Sequence, residues 1–244
     1  MAKFTEEDKL MRRISQRFNK GVVKYRLIDD DDKILVGLSG GKDSLALLEL
    51  LAKRSRILKP KFSVVAVHVS MSNIPYQADL DYIRAYSEGL GVPFIHYETS
   101  FDPSTDTRKS PCFLCSWNRR KALFTVAQEQ GCNKIALGHH MDDVMETLFM
   151  SLIYEGRIHT FAPVTYLSRK DIHIIRPMVY VPEKEVKRYM KQNEISVVKS
   201  ICPADGETKR EYIKDLIYKL NKENHKVRES IFGAITRSDE WKIP

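Results

Sequence analysis

LSGGKDSLALL, residues 38–48, decides how the chain is read. It sits between an apolar strand pattern, KILVGL at 33–38, and a helical pattern at 43–55. Glycines at such a junction let backbone N–H groups come close to an anion, and the helix that follows points its positive end at the same spot. Gly40 and Gly41 fill that role, Lys42 adds a cation, and Ser39 and Ser44 offer hydroxyl donors. The stretch is not a Walker A loop, which would need glycine at Val36 and Ser or Thr at Asp43. A carboxylate beside phosphates repels them unless a Mg²⁺ ion bridges the two, so Asp43 is expected to serve such an ion. Leu38 to Ser44 thus read as a grip on the phosphates of ATP.

Working outward, the pattern alternates. Strands are expected at 33–38, 62–68, 92–97 and 134–138, with helices at 43–55, near 77–90, at 113–130 and at 141–155. Strands apolar on both faces, alternating with helices, predict an α/β fold built on a doubly wound parallel sheet. Residues 164–177 read as two short strands about a turn at 168–171, and Pro182 starts a further helix. A leading amphipathic helix within 5–28 buries Leu10, Met11, Ile14, Phe18, Val22 and Val23, with Thr5 as its N-cap. A basic helical tail covers 206–236. The expected organisation is one domain over 1–244: leading helix 1–28, α/β core 29–200 and helical tail 201–244. The acidic run 29–32 reads as a solvated loop.

Composition narrows the function classes. No run approaches about 18 consecutive apolar residues, and the first residues carry acids without an apolar core, so neither a membrane span nor a secretory signal is expected. The expected location is the cytosol. Forty Lys and Arg against 32 Asp and Glu leave a net charge of +8, which suits a polyanionic partner such as RNA and equally suits plain solubility. Candidate RNA contacts are the basic face of the leading helix, residues 119–121, and Lys219, Lys222, Lys226 and Arg228.

Two further clusters carry chemistry. Cys112 and Cys115 form a C-x-x-C pair at a loop-to-helix junction, with Cys202 distant. By spacing alone, a metal chelate, a redox pair and half of a structural zinc site all remain open. Cys132 precedes the strand KIALG and reads as core. GHHMDDVMET places Gly138, His139, His140, Asp142, Asp143 and Glu146 at a strand end and helix start. Acids there serve as ordinary caps, but the strand end also puts them on the same sheet edge as the glycine loop. His68, ending the second strand, either borders an adenosine or is a hydrogen-bonded structural histidine. Lys121 either touches a substrate or lies on a solvated helix face.

SGGKDS in this position resembles the PP-loop of the ATP pyrophosphatases, which split ATP between the α and β phosphates. The ordered set SGGKDS, PCFLC with SWNRRKALF, KIALGHHMDD, IRPMVYVPEKEV, a later cysteine and REYIKDLIYKL resembles the tRNA 2-thiocytidine synthetase family. That resemblance implies a Rossmann-like PP-loop fold and ATP-dependent replacement of the C2 oxygen of a cytidine, at position 32 of tRNA, by sulfur. It implies ATP and Mg²⁺ at Leu38, Ser39, Gly40, Gly41, Lys42, Asp43, Ser44, His68 and Gly138, with Lys42, Asp43 and Asp143 in the chemistry. It implies a 4Fe–4S cluster on Cys112, Cys115 and Cys202, one iron being left open for sulfur. It implies as partners a tRNA and a sulfur donor, either a cysteine desulfurase or sulfide, and a homodimer. Thiolation of another base to 2-thiouridine, or an iron–sulfur RNA-binding redox module, are the alternatives. Where many relatives carry a second C-x-x-C pair, Asp205 stands here, which removes a persulfide relay at that position but no expected cluster ligand.

Overall fold

Alternation along each strand sends neighbouring side chains to opposite faces of the sheet. Ile34 and Val36 enter the larger core while Leu35 enters the smaller, and Val64 and Ala66 are opposed to Val65 and Val67 in the same way. The structure, a computed structural model, describes residues 5–57, 59–73, 78–102, 104, 111–197 and 209–241. Its strands are β1 (Lys33–Gly37), β2 (Ser63–Met71), β3 (Phe94–Thr99), β4 (Lys134–Ala136), β5 (Val164–Leu167) and β6 (Ile172–Ile175). Its helices are α1 (Glu6–Lys24), α2 (Lys42–Ser55), α3 (Leu80–Gly89), α4 (Pro111–Glu129), α5 (Met141–Met150), α6 (Glu183–Gln192), α7 (Lys209–Glu223) and α8 (Val227–Thr236).

The sheet runs β3-β2-β1-β4-β6-β5. All neighbours are parallel except β5 with β6, so the expected parallel sheet carries one antiparallel edge strand, supplied by the short hairpin. After β1 the chain winds outward through β2 and β3, then crosses back to place β4 on the other side of β1. That reversal makes β1 and β4 the switch point, where the loops leaving two adjacent strands part and open a crevice. The helices cover the faces unequally. Residues of α1, α2, α3, α5, α6, α7 and α8 join one large core, while α4 supplies Val126 and Ala127 to the smaller one.

Local sequence explains the ends of the elements. Thr5 caps α1 through a reciprocal capping box with Asp8, as expected of a Thr one residue before a helix. Val23, placed on the apolar face by its spacing, is instead 67% exposed, because the helix ends at Lys24 and the chain turns inward at Tyr25. The helix expected over 141–155 is regular only to Met150, and Ser151–Glu155 widens into a π-helical turn closed by left-handed Gly156.

The acidic run departs from its expected role. Asp32 is 4% exposed and its carboxylate lies 2.7 Å from Lys134 Nζ, which also reaches Asp29 at 2.9 Å and donates to the Leu27 carbonyl at 3.1 Å. Asn133 Nδ2 donates to Asp32 at 2.7 Å. The run therefore ties the entrance of β1 to the entrance of β4, the two strands that frame the crevice. Removing one partner of a buried ion pair leaves an uncompensated charge and costs about 3–5 kcal/mol. Lys134→Ala should accordingly lower the unfolding temperature by about 6–20 °C, read by thermal denaturation.

Candidate functional site

At the carboxyl end of β1 the chain must turn sharply into α2. Gly40 takes φ 81°, which a side chain would resist, and Gly41 is the N-cap, contributing no side-chain bond to the first amides of α2. Ser44 Oγ donates to the Gly41 carbonyl at 2.9 Å and accepts from Ser39 N–H at 3.2 Å, while Gly41 N–H donates to Ser39 Oγ at 3.3 Å. The two serine hydroxyls, expected as donors to a ligand, thus hold the loop's own shape. The open end of α2 carries Asp43 in its first turn. An acid there is favoured by the helix dipole, but it stands where an anion would dock.

The loop leaving β4 meets this turn at Gly138. A Cβ at that position would stand 3.0 Å from both the carbonyl carbon and oxygen of Asp43, and 3.3 Å from the Ser44 nitrogen. The absence of a side chain is what lets the two strand ends touch. Next along, His140 caps α5: its N–H donates to Asp143 Oδ2 at 2.9 Å, and its Nδ1 accepts from Asp143 N–H at 3.3 Å. With Nδ1 accepting, the neutral ring carries its proton on Nε2, which lies 3.7 Å from Asp43 Oδ1. Asp43 Oδ1 is buried and has no hydrogen-bond partner.

The electrostatics are those of an acid-rich site held by cations. Burial pushes the Asp143 carboxyl above its usual range and the Asp43 charge adds to it, against His140 and Arg210. Burial likewise raises Glu146, helped by Asp143. Glu183, the first residue of α6, goes the other way. Burial alone would raise it, but Lys42, Lys187 and Lys214 outweigh that and hold it down to about 2. Lys42 is not a free cation: its Nζ lies 2.7 Å from Asp43 Oδ2 and 3.1 Å from Glu183 Oε1. Burial would lower its pKa, and these two carboxylates more than reverse that. His139 is driven down to about 3 by burial and then by Arg176 and Arg210, so it is neutral. It lies 4.7 Å from the Phe161 ring.

Beside the glycine loop a recess of ≈ 130 Å³ is lined by Leu38 and Ser39, by His68 and Val69 of β2, by Leu137 after β4, and by Arg119 and Leu123 of α4. His68 has the hydrogen bond expected of a structural histidine and also lines this recess. Its Nδ1 is 2.8 Å from the Leu38 carbonyl, which braces the loop, and its ring faces the recess. Arg119, grouped by sequence with a solvated basic patch, borders the recess too.

Arg119 stands one helical turn after Cys115, which is half-buried near the start of α4, and position 112 is a turn earlier still on the same helix. The side chain of Cys112 and the whole of Cys202 and Asp205 lie outside the described residues. Positions 112 and 115, three apart on one helix, share a face there, as a chelate by two thiolates requires. Cys132 is buried in the smaller core, and burial raises its thiol pKa. Among the described residues no group of three His, Cys, Asp or Glu side chains is arranged to hold a metal ion. Asp43, with its orphaned oxygen, and neighbouring Asp143 instead form the partial set that a phosphate-borne Mg²⁺ would complete.

Sequence reasoning missed Glu183, Arg210 and Lys214. Arg210 Nη1 lies 3.1 Å from Glu146 and 3.8 Å from Asp143, and Lys214 Nζ lies 3.2 Å from Glu183. The available signal was the Arg and Lys four apart in REYIK. Of the proposed RNA contacts, Lys121, Lys219, Lys222 and Lys226 are exposed. Arg228 is not among them, because it is drawn in against Asp142. On α1, Arg13 and Arg17 lean toward Glu185, and Lys24 donates to Tyr180 Oη at 3.0 Å.

A family model for the PP-loop domain matches residues 7–220. The tRNA-cytidine(32) 2-sulfurtransferase of Citrifermentans bemidjiense is 34% identical over 236 residues, covering 94% of this chain and 92% of that one. The protein of the same name from Bordetella pertussis is 34% identical over 240 residues, covering 95% and 73%. Among solved structures, the U34-tRNA thiolase NcsA from Methanococcus maripaludis with its [4Fe-4S] cluster superposes with a TM-score of 0.79 at 25% identity, covering 95% of this chain and 79% of that one. An NAD+ synthetase from Burkholderia pseudomallei, at 0.50 and 15% over 96% and 90%, shares the fold.

Two outcomes follow from the geometry. Gly138→Ala must push the glycine loop away and should weaken nucleotide binding about tenfold or more, measured by titration calorimetry. Asp143 has a raised folded pKa, so its charged form opposes folding above that pKa and the penalty fades as pH falls through it. Asp143→Asn should therefore raise the unfolding temperature at pH 7 and lose the advantage on acidification, in thermal scans across pH.

Proposed function

The chain belongs to the PP-loop domain family, and on that premise we propose that it is an ATP-dependent, iron–sulfur-dependent tRNA sulfurtransferase acting at C2 of cytidine 32. The observation that carries this reading is the shared recess. The glycine loop forms one wall, and the helix bearing the C-x-x-C pair forms another. Replacing an oxygen by sulfur needs the oxygen activated and the sulfur delivered at one carbon, so a base must meet both walls.

Leu38 and His68 border the space assigned to the adenosine. The amides of residues 40, 42 and 43 and the Lys42 ammonium hold the phosphates, and Gly138 keeps the second strand end clear of them. ATP then adenylates the C2 oxygen with loss of pyrophosphate, and sulfur displaces AMP. Asp43 and Asp143 would hold Mg²⁺, which supplies charge neutralisation between carboxylates and phosphates. Cys112, Cys115 and Cys202 would hold a 4Fe–4S cluster, which supplies an iron without a protein ligand for sulfur. The proposed partners are a tRNA, met through the exposed lysines of α7 and the 119–121 stretch, and a cysteine desulfurase or sulfide, with the enzyme acting as a cytoplasmic homodimer. Residues 1–244 are proposed to act as one domain, a reading supported by the shared core of α1, α2 and α7. Identity of 34% to cytidine-32 enzymes, against 25% to the uridine-34 enzyme, favours cytidine.

The test is anaerobic purification with iron and sulfide counts, followed by nucleoside analysis of tRNA incubated with ATP. Lys42→Ala should abolish thiolation and keep the iron, while Cys115→Ala should lose both. Thiolation by Lys42→Ala at the parent rate would remove the glycine loop from the mechanism, and a product of 2-thiouridine would reassign the base.

A further inference from the structure

Residues 210 and 214 lie four apart on α7 and so share one helix face, which is turned toward α5 and α6. Lys214 Nζ lies 3.4 Å from Glu183 Oε1, and Lys42 Nζ lies 3.1 Å from the same oxygen. The two ammonium nitrogens can be no farther apart than those two distances laid end to end. A phosphate that takes the place of Glu183 on Lys42 therefore also stands beside Lys214. Arg210 sits one turn along, on Glu146 and near Asp143.

We infer that Arg210 and Lys214 are phosphate-binding residues that hold the β- and γ-phosphates of ATP and then the pyrophosphate leaving group, and that Glu146 and Glu183 keep them in place until nucleotide enters. This deepens the ATP-cleaving reading above and rests on it. Exposure supports the division of roles: the side chains of Arg210 and Lys214 are 49% and 40% exposed, those of Glu146 and Glu183 only 7% and 11%. The cations sit at the solvent side and can swing, while the carboxylates are fixed in the wall. Lys214 also borders a cavity of ≈ 530 Å³ between α5, α6, α7 and α8, which leaves its stem room to move.

The charge count demands such help. Lys42 is already shared between Asp43 of the loop and Glu183 of α6, so a triphosphate arriving there meets two carboxylates against one cation. When the two tail cations turn to phosphate, neither acid is stranded. Glu183 keeps Lys187 at 3.1 Å, and Glu146, whose pKa burial raises, is eased toward protonation when Arg210 leaves it.

Titration calorimetry with magnesium pyrophosphate and, separately, AMP tests this, with thermal unfolding recorded for each variant. Lys214→Met and Arg210→Met should each weaken pyrophosphate binding about tenfold and leave AMP binding within about twofold, as for loss of one charge-assisted bond. Lys214→Arg should restore it. Glu183→Gln, which removes the competitor for both lysines, should tighten it. A helix-docking role alone would lower the unfolding temperature and leave pyrophosphate affinity unchanged, and that result overturns the inference. So does an equal loss for AMP, or no tightening in Glu183→Gln. A parent protein that binds no pyrophosphate overturns both the inference and the ATP reading, whereas normal binding by parent and Met variants alike overturns the inference only.

Discussion

Everything at this site depends on two strand ends being allowed to touch. β1 and β4 are neighbours in the sheet, yet the loops that leave them turn to different helices, and only a residue without a side chain at 138 lets the second loop lie against Asp43. That contact sets the spacing between the two helix starts, α2 with Asp43 and α5 with Asp143. It brings their carboxylates close enough for each to feel the other's charge. The Asp32–Lys134 pair holds the same two strands together at their other ends, so the crevice is framed from both directions.

A site with so many acids cannot take a polyphosphate unless its charges are arranged in advance. Asp43 acts on Asp143 and Asp143 on Glu146, with Glu183 across Lys42 from Asp43, and the structure answers with cations drawn from three helices rather than one: Lys42 of α2, Lys187 of α6, and Arg210 and Lys214 of α7. The acids respond in opposite directions to pH. Glu183, held down to about 2, adds stability above its ordinary pKa near 4.5 that is lost as pH falls toward 2. Asp143 and Glu146, raised by burial, oppose folding when charged and cease to do so on protonation. A site strained at neutral pH by its own carboxylates is one that a bound cation or a polyphosphate with its counterion relieves.

The glycine loop, the alternating strands and the capping residues were legible because each is a local pattern, written within about ten residues by backbone geometry. What escaped was the pairing of charges across long separations. The acidic run at 29–32 looked solvated because its partner, Lys134, lies far along the chain in a different strand. Arg228 looked like surface for the same reason, until α8 folds it against Asp142. Glu183 carries no motif of its own. Its importance arises because α6 begins where Lys42 ends, and the helix order that brings them together is a property of the whole sheet. Ser39 and Ser44 were recognised as special, and their hydrogen bonds within the turn add a structural duty that the sequence did not reveal.

The helix α4 shows why two chemistries can share one recess. Arg119 borders the space beside the glycine loop and Cys115 precedes it by four residues, which on an α-helix is about 6 Å along the axis. In the proposed reading, a base entering the recess beside Arg119 would need the cysteine-bearing turn, one helical turn away, within reach of the same edge. α4 supplies the whole described helical packing of the smaller core, through Val126 and Ala127, so its far half is anchored to the sheet. The half that carries Cys115 and Arg119 is then positioned by a rigid element rather than by a loop. That is what an exchange of oxygen for sulfur at a single carbon requires, since the leaving and entering groups must be aimed at one atom from fixed directions.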